Sequence, residues 1–147
     1  MGEVTLTQFL SRHKIVALDT PVFIYQFEKH PLFSSLTNIV FAACERKRCQ
    51  AVCATVSLLE ILVKPKRLNR PDLALAYFDK LTSSPFLSII DLNPRIADIA
   101  ASVRVQYGLR SPDAIVVATG LAEGATGLIT ADKGLKRVKE IEVLVLE

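Results

Sequence analysis

Short apolar runs alternate with longer amphipathic stretches along most of the chain. A short apolar run beside a turn signal predicts a buried strand, whereas apolar positions three and four residues apart predict a helix. The strand pattern occurs at 15–18, 51–54, 86–90, 127–130 and 142–146, and the helical pattern at 20–28, 32–47, 55–65, 70–81, 94–107 and 112–123. Strands that alternate with helices in this way predict an α/β fold, a three-layer α/β/α sandwich with a mostly parallel central sheet.

Turn and cap residues set the expected ends of these elements. Ser111 and Pro112 have the residue types of an N-cap and a first helical residue, and Gly124 is expected to stop that helix. Pro65 is expected to end or kink the helix before it, because proline lacks the backbone N–H. The lead at 1–14 has no clear pattern, so its structure is left open. With no long linker, we expect a single domain over 1–147.

The composition is that of a folded globular chain. Half of the 147 residues are hydrophobic, 22% are charged, and the mean hydropathy is +0.34, which excludes a disordered chain. No apolar run approaches the ~18 residues of a membrane span, and the N-terminus lacks the apolar centre of a signal peptide. We therefore expect a cytoplasmic protein.

Two common kinds of site lack support in the sequence. The three cysteines, Cys44, Cys49 and Cys53, are odd in number and fall in a predicted helix and the region of the next strand, so a disulfide framework is not expected. His13 and His30 lack ligand spacing to each other or to the thiols, which leaves buried or idle thiols as the expectation. Neither of the common Gly-rich phosphate loops occurs.

Four carboxylates stand where predicted strands end or in the first turns of the helices that follow. They are Asp19, Glu60, Asp113 and Asp132. In a parallel sheet these positions face the same edge, the carboxyl edge, where α/β proteins bind ligands. Converging carboxylates suit Mg²⁺ or Mn²⁺, which can polarise a phosphoryl oxygen and lower the pKa of a bound water.

Each acid taken alone also fits a helix cap. Asp19 and Asp132 could cap the helices that follow them, Glu60 with Ser57 fits the S-x-x-E capping box, and Asp113 lies in a first turn. Caps are commoner than metal sites, but the flanking segments are strongly apolar. Four partly buried charges on one edge would repel one another without a cation, so the set favours a metal site.

The net charge of +3 permits an acidic partner without requiring one. Most of the cations fall in three clusters, at 46–48, 64–70 and 133–139. The alternative for each cluster is a solvated helix end, where the helix dipole favours Lys and Arg.

Four segments together resemble the PIN-domain nucleases, and most closely the VapC-like toxin ribonucleases of prokaryotic toxin–antitoxin pairs. They are LDT at 18–20, T-x-x-x-x-E at 55–60, SPDAIVVATGLAEGA at 111–125 and GLITAD at 127–132. The resemblance extends over 15–146. Its most specific part is the pairing of the helix that carries Asp113 with the T-x-D at 130–132.

The resemblance implies a PIN-like fold and a Mg²⁺- or Mn²⁺-dependent endoribonuclease, in which water attacks the phosphodiester and leaves 5′-phosphate and 3′-hydroxyl ends. Carried over by position, the catalytic and metal-binding residues are Asp19, Glu60, Asp113 and Asp132. Asp19 and Asp113 are expected to be the principal ligands. Thr20 and Thr130 match small polar positions beside that site.

The expected partners are an RNA substrate, a second copy of the chain and a small antitoxin protein. The cations expected to draw RNA phosphates are Lys64, Lys66, Arg67, Arg70 and Lys133. The amphipathic region at 71–81 could bury a homodimer face, with core packing as the alternative.

Two other functions stay open. One is a catalytically idle PIN-like module for RNA binding or protein interaction. It stays open because the presence of the acids shows that the protein could catalyse cleavage, not that it does. The other is a phosphoacceptor signalling domain, which is disfavoured because Leu18 and Asp19 do not form the adjacent acidic pair that such domains need.

Overall fold

The computed structural model describes residues 2–147, and these contain a five-stranded parallel sheet. The strands are β1 (Ile15–Leu18), β2 (Gln50–Ala54), β3 (Leu87–Ile90), β4 (Gly127–Thr130) and β5 (Glu142–Val145). Their spatial order is β3-β2-β1-β4-β5, and every neighbouring pair is parallel. Parallel neighbours need crossover connections that cover the sheet faces, so the central strands are apolar on both sides.

Helices cover both faces of the sheet. They are α1 (Glu3–Arg12), α2 (Thr20–Phe27), α3 (Ser34–Glu45), α4 (Thr55–Arg67), α5 (Pro71–Ser83), α6 (Pro94–Tyr107) and α7 (Ser111–Ala122), with a 3₁₀ helix at Lys133–Arg137. In β1, Val16 and Leu18 point into the core under α1 to α5, and Ala17 points into the core under α6 and α7. The predicted three-layer α/β/α sandwich is confirmed. In residues 2–147 no helix combines the length and the apolar character that crossing a membrane requires.

The strand order reverses beside β1, and this reversal opens a crevice at the carboxyl edge. The chain builds β1, β2 and β3 outward in one direction and then returns to add β4 and β5 on the other side of β1. Leu18 is the register partner of Ile129, so the residues after β1 and after β4 lie side by side. Such a reversal point is where open α/β sheets bind ligands.

Helix α7 lies close against β1 because one of its residues is a glycine. A Cβ atom built on Gly120 would lie 2.9 Å from the Cβ of Ala17, closer than real Cβ contacts. Val117 and Ala118, earlier in the same helix, are fully buried. The close approach fixes the height of α7 on the sheet, and with it the position of Asp113 in its first turn.

The lead segment forms a helix that packs on the sheet. In α1, Leu6, Phe9 and Leu10 are buried, and a Cβ on Gly127 would lie 2.8 Å from the ring of Phe9. His13 then joins this region to β5, because its Nε2 lies 3.1 Å from a carboxylate oxygen of Glu142. The sequence left the structure of this segment open.

Two of the predicted element ends differ from the structure. Pro65 lies inside α4, which continues to Arg67, and the helix ends only when Leu68 adopts a turn conformation. Ser111 is not a side-chain cap; it is the first residue of α7, and its hydroxyl accepts a hydrogen bond from Arg104 Nη1 at 3.1 Å. Gly124, with φ 78°, does follow the end of α7 as predicted.

Candidate active site

Asp19 lies at the centre of the crevice, directly after β1. Its N–H donates to the carbonyl of Ile129 at 3.0 Å, which extends the β1–β4 ladder by one residue. Its Oδ1 accepts from the N–H of Thr20 at 2.8 Å, so Asp19 is the N-cap of α2, as the capping alternative predicted. The residue is only 6% exposed. The capped geometry leaves the second oxygen, Oδ2, on the side of β4.

Thr130, the last residue of β4, connects two of the acids. Its hydroxyl donates to Asp19 Oδ2 at 2.8 Å and accepts from the N–H of Asp132 at 3.0 Å. The side chain is fully buried. Thr130 therefore fixes the carboxylate of Asp19 and the backbone of Asp132 relative to each other.

Glu60 is joined to the same site through the neighbouring hydroxyl of Thr20. Thr20 Oγ1 donates to Glu60 Oε1 at 2.6 Å and lies 3.0 Å from the hydroxyl of Ser57, which can donate to it. The capping box predicted for Ser57 and Glu60 is wrong, because α4 begins two residues before Ser57, with Ala54 at its cap position. Glu60 is instead held facing the end of β1.

Asp113 lies in the first turn of α7, and its side chain is 17% exposed. One carboxylate oxygen is 3.4 Å from Nε of Arg110. Burial raises the pKa of Asp113, and the carboxylates of Asp132 and Glu60 raise it further, whereas the Arg110 guanidinium lowers it. Asp113 therefore shares an electrostatic environment with two of the other acids.

Asp132 follows β4 on the exposed rim of the crevice. Its Oδ1 accepts from the N–H of Gly134 at 2.8 Å, which makes it the N-cap of the 3₁₀ helix. The capping alternative is thus confirmed for Asp132 as for Asp19. Both residues make the cap through Oδ1. The second oxygen of Asp19 accepts the hydrogen bond from Thr130.

Electrostatic coupling links the four predicted acids to one another. Burial raises the pKa of Asp19 to about 6, and the charges of Asp113 and Glu60 add to the increase, against the opposing hydrogen bonds from Thr130 and Thr20. An increase with these causes means that the carboxylate of Asp19 is poorly hydrated and that repulsion from the other acids is a smaller contribution. The protein binds a proton there more readily than an exposed aspartate would.

A hard divalent cation fits this set of donors. The crevice offers carboxylate and hydroxyl oxygens, and a cation would offset both the burial of the Asp19 charge and its repulsion from Asp113 and Glu60. Within residues 2–147, no three Asp, Glu, His or Cys side chains are drawn together into a ready metal shell. Mg²⁺ does not require one, because it keeps several waters and uses one or two protein carboxylates.

The cations predicted to attract phosphates divide into two kinds. Three of them form ion pairs: Lys64 with Glu28 (2.5 Å), Arg70 with Asp72 (2.9 Å) and Lys133 with Glu147 (3.6 Å). Lys66 and Arg67 are exposed in the last turn of α4, and no ion pair within the described chain involves either of them. These two are the predicted cations that are available to a ligand.

Sequence reasoning missed two residues of the site. Ser57 is fully buried against Thr20, and its place one turn before Glu60 on the same helical face is the signal that could have revealed it. Arg110, at the cap position of α7, was not among the predicted site residues. Its position three residues before Asp113 is typical of a local ion pair.

Comparison with known proteins places the chain in a family. A PIN domain family model matches residues 16–141. Comparison with curated protein sequences gave no match.

Solved structures show the same fold. A toxin–antitoxin complex from Klebsiella pneumoniae is 22% identical, with a TM-score of 0.68 over 88% of this chain and 96% of that one. VapBC2 from Rickettsia felis, bound to a DNA fragment from its promoter, is 19% identical, with a TM-score of 0.72 over 90% and 99%. FitAcB from Neisseria gonorrhoeae is 18% identical, with a TM-score of 0.65 over 87% and 95%. With the family model covering most of its length, the chain belongs to the PIN domain family.

Proposed function

We propose that this protein is a metal-dependent endoribonuclease, the toxin component of a toxin–antitoxin pair, that acts in the cytoplasm. The observation that carries the proposal is the set of four acids in the crevice beside β1, where burial, with smaller contributions from the charges of Asp113 and Glu60, raises the pKa of Asp19 to about 6. Membership of the PIN domain family supports it. A purely structural role would not require four acids to share one partly buried crevice.

Mg²⁺ or Mn²⁺ would be held by Asp19 and Asp113, with Glu60 and Asp132 as secondary ligands or water-orienting groups. When bound, the ion supplies Lewis-acid activation of the phosphodiester and of the attacking water. Thr130 holds Asp19 Oδ2 from the side of β4, and Thr20 holds Glu60 Oε1. These two hydroxyls fix the acids in advance, so little reorganisation is needed when a substrate enters.

A row along α4 gives the RNA backbone a path to the acids. Glu60, Lys64 and Arg67 are spaced by four and then three residues, so they lie along one face of the helix. Along the helix axis, Glu60 and the exposed Arg67 are about 10 Å apart, at 1.5 Å per residue. Phosphates held at Arg67, and at Lys66 on the adjoining side of the helix, would keep the chain of a single-stranded RNA beside the crevice.

The test is Asp113→Asn, with metal binding by calorimetry and RNA cleavage measured on the same samples. We expect the variant to lose Mn²⁺ binding and at least about 100-fold in cleavage rate, because one principal ligand is removed. Asp98→Asn is the matched control, since Asp98 is exposed on α6.

Three results would contradict the proposal. Full cleavage by Asp113→Asn or in excess chelator would exclude a metal nuclease. Unchanged Mn²⁺ binding by Asp113→Asn would exclude Asp113 as a principal metal ligand. Tight RNA binding by the wild type with no cleavage under Mg²⁺ or Mn²⁺ would favour the catalytically idle module.

The proposed protein partners are a small antitoxin and a second copy of this chain. The similar structures include a toxin–antitoxin complex and two VapBC assemblies with DNA, which supports an antitoxin. The homodimer proposal uses the region at 71–81, where Leu75 is 61% and Phe78 is 42% exposed. Light scattering of the isolated chain, compared with Leu75→Glu, tests whether this region joins two copies.

A further inference from the structure

A pair of thiols lies at the opposite edge of the sheet from the acids. Cys44, in the last turn of α3, and Cys49, just before β2, have their sulfur atoms 3.4 Å apart. Both are free thiols. A disulfide needs a separation of about 2.05 Å, so a movement on the order of 1 Å would join them.

The two thiols border a cavity of about 740 Å³. Its cationic wall is formed by Lys14, Lys47 and Arg48, against one carboxylate from Glu45. Within residues 2–147, no ion pair involves any of these three cations. Pro85, Phe86 and Gln50 complete the wall. A cavity of this size with unpaired cations suits a small anionic molecule.

We propose that Cys44 and Cys49 are a reversible dithiol–disulfide pair, oxidised by low-molecular-weight disulfides that carry carboxylates and enter the adjacent cavity. Its chemistry is separate from the proposed nuclease function, because none of the four acids lines this cavity.

The two thiols differ in reactivity. The hydrogen bond from Cys44 lowers the pKa of Cys49, and the same pairing together with burial raises the pKa of Cys44. Thiolates, not thiols, attack disulfides, so Cys49 is the attacking residue. Cys53, on β2, lines no part of the cavity, and burial raises its pKa to about 12. Cys53 therefore serves as an internal control.

The reaction is an ordinary thiol–disulfide exchange in two steps. The Cys49 thiolate attacks one sulfur of the small disulfide, which forms a mixed disulfide at Cys49 and releases one small thiolate. Cys44 then attacks the sulfur of Cys49 and gives up its proton, and the second small thiol leaves with that proton. The two protein sulfurs are oxidised and the small disulfide is reduced to two thiols. An excess of small thiol reverses both steps.

The first experiment uses oxidised glutathione and the full chain with Cys53→Ala, so that only the two candidate thiols are present. After incubation, unfolding and alkylation, we expect the protein to be lighter by two hydrogens and to take up no alkyl group. In the same Cys53→Ala protein, trypsin cleaves between the two residues, so the disulfide would join the peptides at 30–46 and 49–66. Quantitative alkylation of both thiols in folded, oxidant-treated protein would overturn the proposal.

A second variant identifies the attacking thiol. With Cys44→Ser added to Cys53→Ala, the second step is blocked, and we expect one glutathionyl group to accumulate on Cys49. With Cys49→Ser added instead, Cys44 should stay reduced. An adduct on Cys44 and none on Cys49 would overturn the assignment of the two roles. The peptide map of the Cys53→Ala protein decides whether the disulfide forms if either serine variant fails to fold.

A third experiment tests the charge of the oxidant. We expect oxidised glutathione to react roughly tenfold faster than the uncharged bis(2-hydroxyethyl) disulfide at low salt, and the ratio to fall towards one as salt is added. Lys14→Gln with Lys47→Gln should lower the ratio in the same way. Equal rates at low salt would overturn the cationic cavity as the place where the oxidant enters.

Discussion

At the scale of single residues, the acids of the crevice perform two tasks at once. Asp19 uses Oδ1 to cap α2 and Oδ2 to bond Thr130, and Asp132 uses Oδ1 to cap the 3₁₀ helix. A cap stabilises the fold, whereas the accumulation of charge opposes folding. Measuring the stability of the protein at several pH values can separate the contribution of the local hydrogen bonds from that of the repulsion between the acids.

Asp19 should make the metal-free protein less stable as the pH rises. A carboxyl whose pKa is higher in the folded state binds its proton more tightly when folded. The stability that Asp19 contributes is therefore fully present below pH 3.8, the ordinary pKa of an aspartate. It is lost as the pH rises through about 6, the pKa in the folded protein. We expect Asp19→Asn to abolish this loss, worth up to about 3 kcal/mol for about two pKa units.

The measurement is urea unfolding in chelator at pH values from about 4 to about 7, for the wild type and for Asp19→Asn. Asparagine keeps the shape, and its oxygen can still accept from the N–H of Thr20. The wild type should fall in stability relative to the variant across this range. Parallel curves for the two proteins would show that Asp19 titrates normally.

At the scale of elements, small residues determine how closely helices approach the sheet. Gly120 lets α7 lie against Ala17 of β1, and Gly127 lets the ring of Phe9 in α1 lie against β4. The acids are carried by the ends of these closely packed elements. A change in helix height would move Asp113 relative to Asp19.

Gly120→Ala should destabilise the protein by about 1–3 kcal/mol, because the new methyl group would lie 2.9 Å from the Cβ of Ala17. Intrinsic helix propensity acts in the opposite direction, since alanine is the better helix former. Thermal unfolding of the variant measures the balance. Gly2→Ala is the control, as nothing lies within 4 Å of the added group there. A stabilised Gly120→Ala would mean that α7 is not tightly packed on β1.

Elements were predictable where a single local signal decides them. The apolar run before Asp19 predicts β1 because a strand buried on both faces has no polar alternation. The N-cap role of Ser111 was not realised, since its hydroxyl binds Arg104 from another helix. The bond between Thr20 and Glu60 joins residues 40 positions apart, and the pairing of Lys64 with Glu28 joins residues 36 apart. Contacts at such separations are set by the packing of whole helices, which local periodicity does not encode.

At the scale of the whole molecule, the two edges of the sheet differ in chemistry. The carboxyl edge carries the four acids, whereas the amino edge carries the thiol pair and a cluster of cations. A nucleic acid drawn by net charge alone would favour the cationic edge. The last turn of α4 carries two unpaired cations, Lys66 and Arg67, about two turns after Glu60, which makes the location of binding testable.

Lys66→Gln with Arg67→Gln should weaken RNA binding and reduce its dependence on salt. Each lost phosphate contact should lower the slope of log affinity against log salt by about 0.7 for a single strand. The control is Lys14→Gln with Lys139→Gln, two exposed lysines that precede strands at the opposite edge. Binding measured by fluorescence anisotropy at several salt concentrations gives both slopes. An effect in the control and none in the test pair would place RNA on the amino edge.

The pairing of β1 with β4 also governs when the site can exist during synthesis of the protein. On one side, β1 pairs with β4, whose residues follow those of β1 by more than a hundred positions. A growing chain that has reached the end of α6 holds Asp19 and Glu60 but neither Asp113 nor Asp132. The acid cluster therefore cannot be complete before residue 132 has been synthesised, and a growing chain that stops short of it lacks the site.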